Sequence, residues 1–314
     1  MPNKPIVVIG SINMDLACRT PHIPTAGETI LGSDFVMMPG GKGANQAVAA
    51  AKLGGKVYMV GRVGDDDFGD RLIYCMSAHK VNVEHITVSE GDATGIAMIL
   101  VDMKGENSII VAPGANQKLT PDDIDAAESL ITTAGTVVMQ LEIPLVTVHH
   151  VIALCQRHGV HLILDPAPVP PQGLDRAMMD VDLLTPNQGE AEQLVGLSQT
   201  HNVSAKKIID PKQVGSDLLA RGARAVVLTL GHKGAMVLTR DGQIVTIPPH
   251  KVKVVDTTAA GDAFTGALAV GYSQGMPLAT AAKFANAAGA LCCTGFGAQP
   301  AMPTRAAVDA LLLH

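Results

Sequence analysis

The stretch Val137–Leu164, VVMQLEIPLVTVHHVIALCQRHGVHLIL, carries the pattern that decides the fold. Two short apolar runs, Val137–Leu141 and Val160–Leu164, flank a longer segment with a helical pattern, Val146–His158. Neither run alternates with polar residues, which is typical of strands that are covered on both faces. The stretch is therefore predicted to form a strand, a helix and a second strand.

The same alternation continues along the chain in both directions. Further buried strands are predicted at Ile6–Ile9, Val57–Val60, Leu183–Thr185 and Val226–Leu230. Further helices are predicted at Ala44–Leu53, Phe68–Ala78, Pro121–Ala134, Glu190–Val195, Gln213–Arg221, Gly261–Gln274 and Leu278–Cys293, and a hairpin at Asp241-Gly242. Strands that alternate with helices usually pair in parallel. The predicted fold class is therefore α/β, a mostly parallel, Rossmann-like sheet with helices on both faces, in a single domain over residues 1–314.

Two segments do not fit this alternation. Thr29–Met38 and Gly95–Val111 look like β-ribbons, and the second turns at Lys104-Gly105. Neither joins the parallel core easily through a helical crossover. We expect them to form a small β-sheet lid from about 12–40 and 94–112.

Composition excludes several classes of protein. Of the 314 residues, 47% are hydrophobic and 17% are charged, as in globular chains. The net charge of −6 gives no Lys/Arg excess, so we expect no nucleic-acid partner. The five cysteines form no CxxC pair, which favours a reducing compartment. No signal peptide or membrane span is evident, and a cytoplasmic location is expected.

Polar clusters follow several of the predicted strands. They are Gly10–Asp15, Gln140–Glu142, Thr185–Asn187 and Thr229–Gly234. In open α/β sheets, ligands bind beyond the carboxyl ends of the strands. These clusters therefore predict one binding site at that edge.

The most specific motif is Asp256–Gly266, DTTAAGDAFTG, in which small residues lead directly into a predicted helix. The first N–H groups of such a helix suit negative charge that develops during a reaction. Asp262 falls at the cap or in the first turn, where the helix dipole favours its ionised form. It can then accept a hydroxyl proton while the N–H groups hold a transferring phosphoryl group. An isolated Asp would more simply be an N-cap, but the adjacent Ala-Ala-Gly leaves space for a ligand and favours catalysis.

A second motif, Pro39–Ala47 or PGGKGANQA, places glycines before a helix. It lacks the frame of a Walker A loop and the third glycine of a dinucleotide fingerprint. It is either a plain glycine-rich helix entry or a site in which Lys42 and Asn45 hold substrate hydroxyls. Asn13 and Asp15 likewise form either an Asx-turn or a pair that faces sugar hydroxyls.

Together these motifs resemble the ribokinase-like carbohydrate kinase family over essentially the whole chain. Gly10–Asp15 and Gly40–Ala47 resemble its N-terminal signature, and Asp256–Gly266 its C-terminal signature. Thr185–Glu190 is similar to its NxxE element, and Thr229–Gly234 to its nucleotide loop. Gly41–Asn45 is similar to the ribose-specific members. The resemblance implies ATP-dependent phosphorylation of D-ribose at the 5-hydroxyl, with Mg²⁺, K⁺ as activator, and a homodimer formed through the lid.

The resemblance also implies a role for each matching residue. The catalytic group comprises Asp262 as the base, with Ala259, Ala260 and Gly261 as the anion hole. The sugar contacts are Asn13, Asp15, Gly41, Lys42, Gly43, Asn45, Glu142 and Asp262. The ATP contacts are Asn187, Thr229, Leu230, Gly231, His232, Lys233, Gly234, Gly261, Asp262 and Asn286. Glu190 would organise Mg²⁺ through water, and the K⁺ loop would comprise Asp256, Thr258, Cys292, Gly295, Gly297 and Ala301.

Two positions depart from the family pattern. Asn286 stands where a His near the adenine is common, and Ala301 stands where many members carry a Ser at the cation site. Three alternatives remain open. The chain could be a related kinase for deoxyribose, a ketohexose or a nucleoside, or a catalytically silent sugar-binding regulator. A dinucleotide-dependent oxidoreductase fits the alternation but lacks the glycine fingerprint.

Overall fold

A computed structural model of the chain describes residues 4–197 and 210–313. The strands in these ranges are β1 Ile6–Ile9, β2 Asn13–Arg19, β3 Ser33–Gly40, β4 Val57–Gly64, β5 Asn82–Ser89, β6 Gly95–Val101, β7 Asn107–Ala112, β8 Thr136–Met139, β9 Leu162–Leu164, β10 Leu183–Leu184, β11 Ala225–Thr229, β12 Ala235–Thr239 and β13 Ile244–Ile247. The α-helices are α1 Lys42–Lys52, α2 Asp67–Ala78, α3 Pro121–Ala126, α4 Glu128–Thr133, α5 Leu145–His158, α6 Arg176–Met179, α7 Gln188–Leu194, α8 Pro211–Arg221, α9 Ala260–Ser273, α10 Leu278–Cys292 and α11 Arg305–Leu312. No helix in the described ranges is both long enough and apolar enough to cross a membrane.

The main sheet contains nine strands in the order β13-β12-β11-β10-β9-β8-β1-β4-β5. From β11 to β5 every neighbouring pair is parallel, whereas β12 and β13 add an antiparallel hairpin at one end. The strand, helix and strand predicted over Val137–Leu164 are β8, α5 and β9. The predicted α/β class and the predicted hairpin at Asp241-Gly242 are confirmed.

Helices cover both faces of this sheet because its central strands have no polar face. In β1, Ile6 and Val8 belong to a core that includes α1, α2, α9 and α10. Val7 and Ile9 belong to a second core on the opposite face, which includes α3 to α8. Successive strand residues point to opposite faces, so a continuous apolar run is what such a strand requires.

Some elements differ from the sequence-based expectation. The helix predicted over Pro121–Ala134 is two short helices, since the chain tightens at Ala127, where Leu130 N–H donates to the Ala127 carbonyl. Helices α6 and α11 and strand β5 were not predicted. Strand β5 is an edge strand of the main sheet and mostly half-buried, so it lacks the continuous apolar run of the central strands.

The second sheet has four strands in the order β3-β2-β6-β7. All four lie within the ranges expected for the lid, 12–40 and 94–112. Asn13 and Asp15 are residues of β2, which pairs with β3 and β6, so the Asx-turn alternative is wrong.

Several apolar side chains of this sheet are uncovered. Val36 and Met98 are exposed, whereas Ile30 and Leu100 are half-buried. All six residues of β7 are exposed, including Ile109 and Ile110.

Close backbone contacts hold the start of α1 against the main sheet. A Cβ added to Gly43 would lie 2.7 Å from the carbonyl carbon of Gly10, and one added to Gly266 in α9 would lie 2.7 Å from the Gln46 carbonyl oxygen. Gly41 precedes α1 with a φ of 86°, which favours glycine. The carboxyl end of β1 and the start of α1 therefore pack without side chains between them, and α9 packs equally closely on α1.

Candidate functional site

A cleft of about 180 Å³ lies at the carboxyl edge of the main sheet. The sequence-predicted residues that line it are Lys42, Asn187, Glu190, Thr229, Ala259, Ala260, Gly261 and Asp262. Lining residues that had no predicted role are Asp165, Ala167, Thr185, Thr257 and Thr265. The clusters after β10 and β11 therefore meet the start of α9, as the strand-end argument requires.

The start of α9 forms the anion-binding part of this cleft. Ala259 precedes the helix with a φ of 58°, an uncommon conformation for a residue with a side chain. The Ala260 N–H donates to the Thr257 carbonyl at 3.2 Å. Among the described residues, the N–H groups of Gly261 and Asp262 have no backbone or side-chain acceptor. The Ala259 N–H has no acceptor there either, so of the three residues expected in the hole only Ala260 has an N–H that is already bonded.

Space in front of these donors is open. A Cβ added to Gly261 would meet no heavy atom within 4 Å, so a ligand can approach the backbone here. An anion in that position would face two amides and the positive end of the helix dipole.

Asp262 lies in the first turn of α9 and is 7% exposed. Its carboxylate accepts hydrogen bonds from Asn45 Nδ2 and Gln46 Nε2, each at 3.0 Å. Burial raises the pKa of Asp262 more than Lys42, Asn45 and Gln46 lower it. Burial therefore opposes the ionised form that was expected at a helix start, and it leaves a carboxylate with an increased proton affinity.

Lys42, the first residue of α1, places its ammonium group near this carboxylate. Burial opposes its charge, but Asp262, Asp165, Glu142 and Glu190 together raise its pKa above the usual value. Lys42 therefore stays protonated and offsets part of the negative charge in the cleft.

Three buried side chains around Asp262 had no role assigned from the sequence. Gln46 Nε2 donates to Asp262 and also to Asp165 Oδ2 at 2.7 Å, and Gln140 Nε2 donates to Gln46 Oε1 at 2.6 Å. Gln46 lies inside the quoted PGGKGANQA motif, and Asp165 directly follows a predicted strand. These positions were the available signal in the sequence. The hydrogen bonds themselves join residues that are separated by about a third to two-thirds of the chain, so they produce no local pattern.

The predicted sugar residues form a group beside the cleft. Asn13 and Asp15 of β2 are 3% and 8% exposed. Asn116 Nδ2, which the sequence did not single out, donates to Asn13 Oδ1 at 2.7 Å. Burial, followed by the charges of Glu142 and Asp262, raises the pKa of Asp15 to about 7. Asp15, Glu142 and Asp262 therefore lie close enough together to interact through their charges.

Glu142 is held by a residue of the first polar cluster. The Ser11 hydroxyl donates to Glu142 Oε2 at 2.5 Å, and the Gly43 N–H donates to the Ser11 oxygen at 3.5 Å. Ser11 thus links Glu142 to the start of α1.

The NxxE element is a reciprocal capping box at the start of α7. Asn187 Oδ1 accepts from the Glu190 N–H at 2.9 Å, and Glu190 Oε2 accepts from the Asn187 N–H at 2.8 Å. Burial raises the pKa of Glu190. The NxxE spacing fixes both side chains at the cleft in one local structure.

The predicted nucleotide loop follows β11. Leu230 is buried, Gly231–Lys233 form an exposed 3₁₀ turn, and Gly234 has a φ of 90°. Thr229 forms an isolated parallel bridge with Asn187, which joins this loop to α7. Asn286 lies in α10, donates to the Pro248 carbonyl at 3.0 Å and does not line the cleft.

The two predicted cation loops are in contact. Asp256 Oδ1 accepts from the Thr258 N–H and Oδ2 from the Gly297 N–H, both at 2.9 Å. These bonds lower the pKa of Asp256 although burial opposes them. Cys292 Sγ lies 3.7 Å from the Thr258 carbonyl oxygen. A Cβ added to Gly295 would lie 2.9 Å from Ala301 Cβ.

No group of three or more His, Cys, Asp or Glu side chains in the described ranges is arranged to hold a metal ion. A cation here would depend on main-chain carbonyls, water or a bound substrate for most of its ligands. Glu190 at the cleft, with a phosphate-bearing substrate and water, is compatible with the way Mg²⁺ is usually held.

Comparison with known proteins identifies the family. The profile described as pfkB family carbohydrate kinase matches residues 3–305. The chain is 40% identical over 311 residues to a ribokinase of Schizosaccharomyces pombe, covering 97% of this chain and 96% of that protein. It is 38% identical over 304 residues to a deoxyribokinase of Salmonella typhi, covering 95% of each.

Its structure also resembles that of Arabidopsis thaliana ribokinase complexed with ribose and ATP. The TM-score is 0.87 at 32% identity, over 99% of each chain. A profile match across nearly the whole chain, full-length relatives and the shared architecture agree, and the chain belongs to the pfkB family of carbohydrate kinases.

Proposed function

We propose that this chain transfers the γ-phosphoryl group of ATP to the 5-hydroxyl of D-ribose, giving D-ribose 5-phosphate and ADP. One observation carries the proposal: the buried carboxylate of Asp262 lies at the same helix start as two unpaired backbone donors, the amides of Gly261 and Asp262. A base and an anion hole at one point are what phosphoryl transfer to a hydroxyl requires.

In the proposed reaction, Asp262 accepts the proton of the 5-hydroxyl as its oxygen attacks the γ-phosphorus. The new oxygen–phosphorus bond forms while the bond to the β–γ bridging oxygen breaks, and ADP leaves with that oxygen. The amides of Gly261 and Asp262 and the ammonium group of Lys42 stabilise the charge on the transferring group.

The sugar is proposed to be bound by the side chains of Asn13, Asp15, Lys42, Asn45 and Glu142 and by the backbone of Gly41 and Gly43. Among the described residues, Asn45 Oδ1 is buried without a hydrogen-bond partner, while its Nδ2 is bonded to Asp262. A buried acceptor of this kind costs free energy unless a ligand donates to it. A sugar hydroxyl beside the base would satisfy it.

Deoxyribose is the second candidate substrate, favoured by the similarity to a deoxyribokinase. The two sugars differ in the 2-hydroxyl. The buried carboxylate of Asp15 and the half-buried carboxylate of Glu142 suit a substrate that donates several hydroxyl protons, which favours ribose.

ATP is proposed to bind along Asn187 and the loop Thr229–Gly234, with its phosphates towards Lys42 and the start of α9. Mg²⁺ would be held near Glu190 through water and would neutralise part of the phosphate charge. For Asn286, the part of α10 that it occupies is proposed to lie near the nucleotide. Its side chain is not proposed as a contact, because it donates a hydrogen bond to the Pro248 carbonyl.

K⁺ is proposed to bind between the loops 256–258 and 292–301. Asp256 supplies charge, and the carbonyls of Thr258, Cys292, Gly295 and Gly297 are potential ligands. Ala301 offers no hydroxyl, and Asp256 already orders both loops through hydrogen bonds, so the dependence on K⁺ is proposed to be weak.

The four-stranded sheet is proposed to close over the sugar and to pair with its copy in a homodimer. Support comes from β7, whose neighbouring residues Ile109 and Ile110 are 52% and 60% exposed. They point to opposite faces of the strand, so one apolar face stays open after the other turns towards the sugar.

The first prediction concerns the reaction itself. Purified protein should consume ATP faster with D-ribose than with 2-deoxy-D-ribose, a ketohexose or a nucleoside. Asp262→Asn should lower turnover about 10²–10⁴-fold, because an amide does not accept the hydroxyl proton. Sugar binding measured by calorimetry should persist in the variant. Near-wild-type turnover of Asp262→Asn would rule out Asp262 as the base. Faster ATP consumption with another sugar would identify that sugar as the substrate in place of ribose.

The second prediction concerns pH. Asp15 should be charged above its raised pKa of about 7 and neutral below it. Only the charged form accepts strongly from sugar hydroxyls, so kcat/KM for ribose should fall about tenfold per unit as pH decreases below that value. The decrease in kcat at saturating ribose should be smaller. Asp15→Asn should have a low kcat/KM for ribose and should not show this decrease at low pH. If the decrease persists in the variant, another group causes it.

The third prediction concerns the cation. Replacing K⁺ with a bulky organic cation at constant ionic strength should lower turnover modestly. Ala301→Ser adds a hydroxyl next to Gly295 and should increase the dependence on K⁺. Identical rates with and without K⁺ in both proteins would remove the ion from the mechanism.

The fourth prediction concerns assembly. Light scattering at micromolar concentration should give twice the chain mass of 32.5 kDa. Ile110→Lys should give a monomer, because it places a charge on the exposed face of β7. Tyr74→Lys, at a 73% exposed position in α2, is the matched control and should stay dimeric. A monomeric wild-type protein would contradict pairing through the lid.

A further inference from the structure

We propose that Gln46 is a positioning residue for the Asp262 carboxylate and that Gln140 sets the direction in which Gln46 points. The proposal rests on the proposed role of Asp262 as base. It concerns two amide side chains that are fully buried and are not among the residues that line the cleft.

Both protons of the Gln46 amide are used. Nε2 donates to Asp262 Oδ1 at 3.0 Å and to Asp165 Oδ2 at 2.7 Å. An amide nitrogen carries two hydrogens, so these bonds use its full donor capacity. One side chain therefore holds two buried carboxylates in a fixed relation to each other.

The orientation of Gln46 is determined by its neighbours. If the amide turned over, its oxygen would face the acceptors Asp165 and Asp262, and three acceptors would oppose one another. Its oxygen instead accepts from Gln140 Nε2 at 2.6 Å. Gln140 can donate only in this orientation, so the hydrogen bonds run in one direction from Gln140 through Gln46 to the carboxylates.

Gly10 provides the space that Gln140 requires. A Cβ at position 10 would clash with Gln140 Oε1, which is buried and has no partner among the described residues. An orphaned acceptor is unfavourable and would not be kept by packing alone. The Gln140 oxygen is left unpaired while its nitrogen remains directed at Gln46.

The same arrangement distinguishes the two carboxylates. Asp262 accepts from both Asn45 and Gln46, whereas the only side-chain donor to Asp165 among the described residues is Gln46. Burial raises the pKa of both carboxylates. The hydrogen bonds from Asn45 and Gln46 favour the charged form of Asp262, whereas Asp165 has one such donor fewer.

The test compares kcat at saturating ribose and ATP across about pH 5 to 10 in the wild type, Gln46→Met and Gln140→Met. Gln46→Met removes a donor to the base, so kcat near pH 7 should fall about tenfold to hundredfold. The decrease of kcat at acidic pH, its acid limb, should report the Asp262 carboxylate in the enzyme–substrate complex. In Gln46→Met this limb should move to higher pH by about one unit, with activity partly recovered above it. The KM values should change less than about threefold. Gln140→Met should move the limb in the same direction by a smaller amount.

Thr147→Val is the matched control. The Thr147 hydroxyl is fully buried and donates to the Leu119 carbonyl at 2.6 Å, in α5 away from the cleft. Its loss should lower thermal stability without moving the acid limb. If Gln46→Met does not fold, Gln140→Met still decides the matter.

Two failures can be separated. An active Asp262→Asn variant would contradict the proposed base. An inactive Asp262→Asn variant, with Gln46→Met and Gln140→Met retaining the wild-type kcat and acid limb, would overturn the positioning role alone. Loss of kcat in the two glutamine variants without any movement of the limb would also overturn it, since that is the result of general destabilisation.

Discussion

The start of α1 lies against both the end of β1 and the start of α9, and the site depends on this close packing. No side chain separates the backbones at Gly10 and Gly43, and Gly266 meets the Gln46 carbonyl at a distance that excludes a Cβ. This approach brings the Gln46 side chain to Asp262, 216 residues away in the chain. A methyl group at any of these glycines would separate elements that must touch. The spacing of the helices, and not the cleft residues alone, therefore sets the geometry of the proposed base.

Burial of charge is the second organising feature. Asp15, Asp165, Glu190 and Asp262 are all acids whose pKa is raised chiefly by burial. Lys42 is the cation that offsets them. The free energy spent on removing these carboxylates from water has a chemical use, because an acceptor with increased proton affinity bonds hydroxyls more strongly and receives a proton more readily. A single feature of the fold thus supports both sugar recognition and general-base chemistry.

The central strands and the main motifs could be predicted from the sequence because their signals are local. A strand covered on both faces needs a continuous apolar run, and the NxxE spacing encodes a capping box between neighbouring residues. Strand β5 lacks such a run because it is an edge strand. Three other roles depend on partners about 90 to 220 residues away, so no local sequence pattern predicts them; they are those of Gln46, Gln140 and Asn116. The hydrogen bond that occupies the Ala260 N–H could not be predicted either, because it depends on the turn that Thr257 makes before α9.

The most direct test of this account is a crystal structure of the protein with ADP, D-ribose and aluminium fluoride, which mimics the transferring phosphoryl group. The ribose 5-oxygen should lie within about 2.6–3.2 Å of the Asp262 carboxylate. The fluoride ligands should lie about 2.7–3.1 Å from the amides of Gly261 and Asp262. A 5-oxygen bonded elsewhere, or a fluoride group held away from the start of α9, would contradict the proposed mechanism.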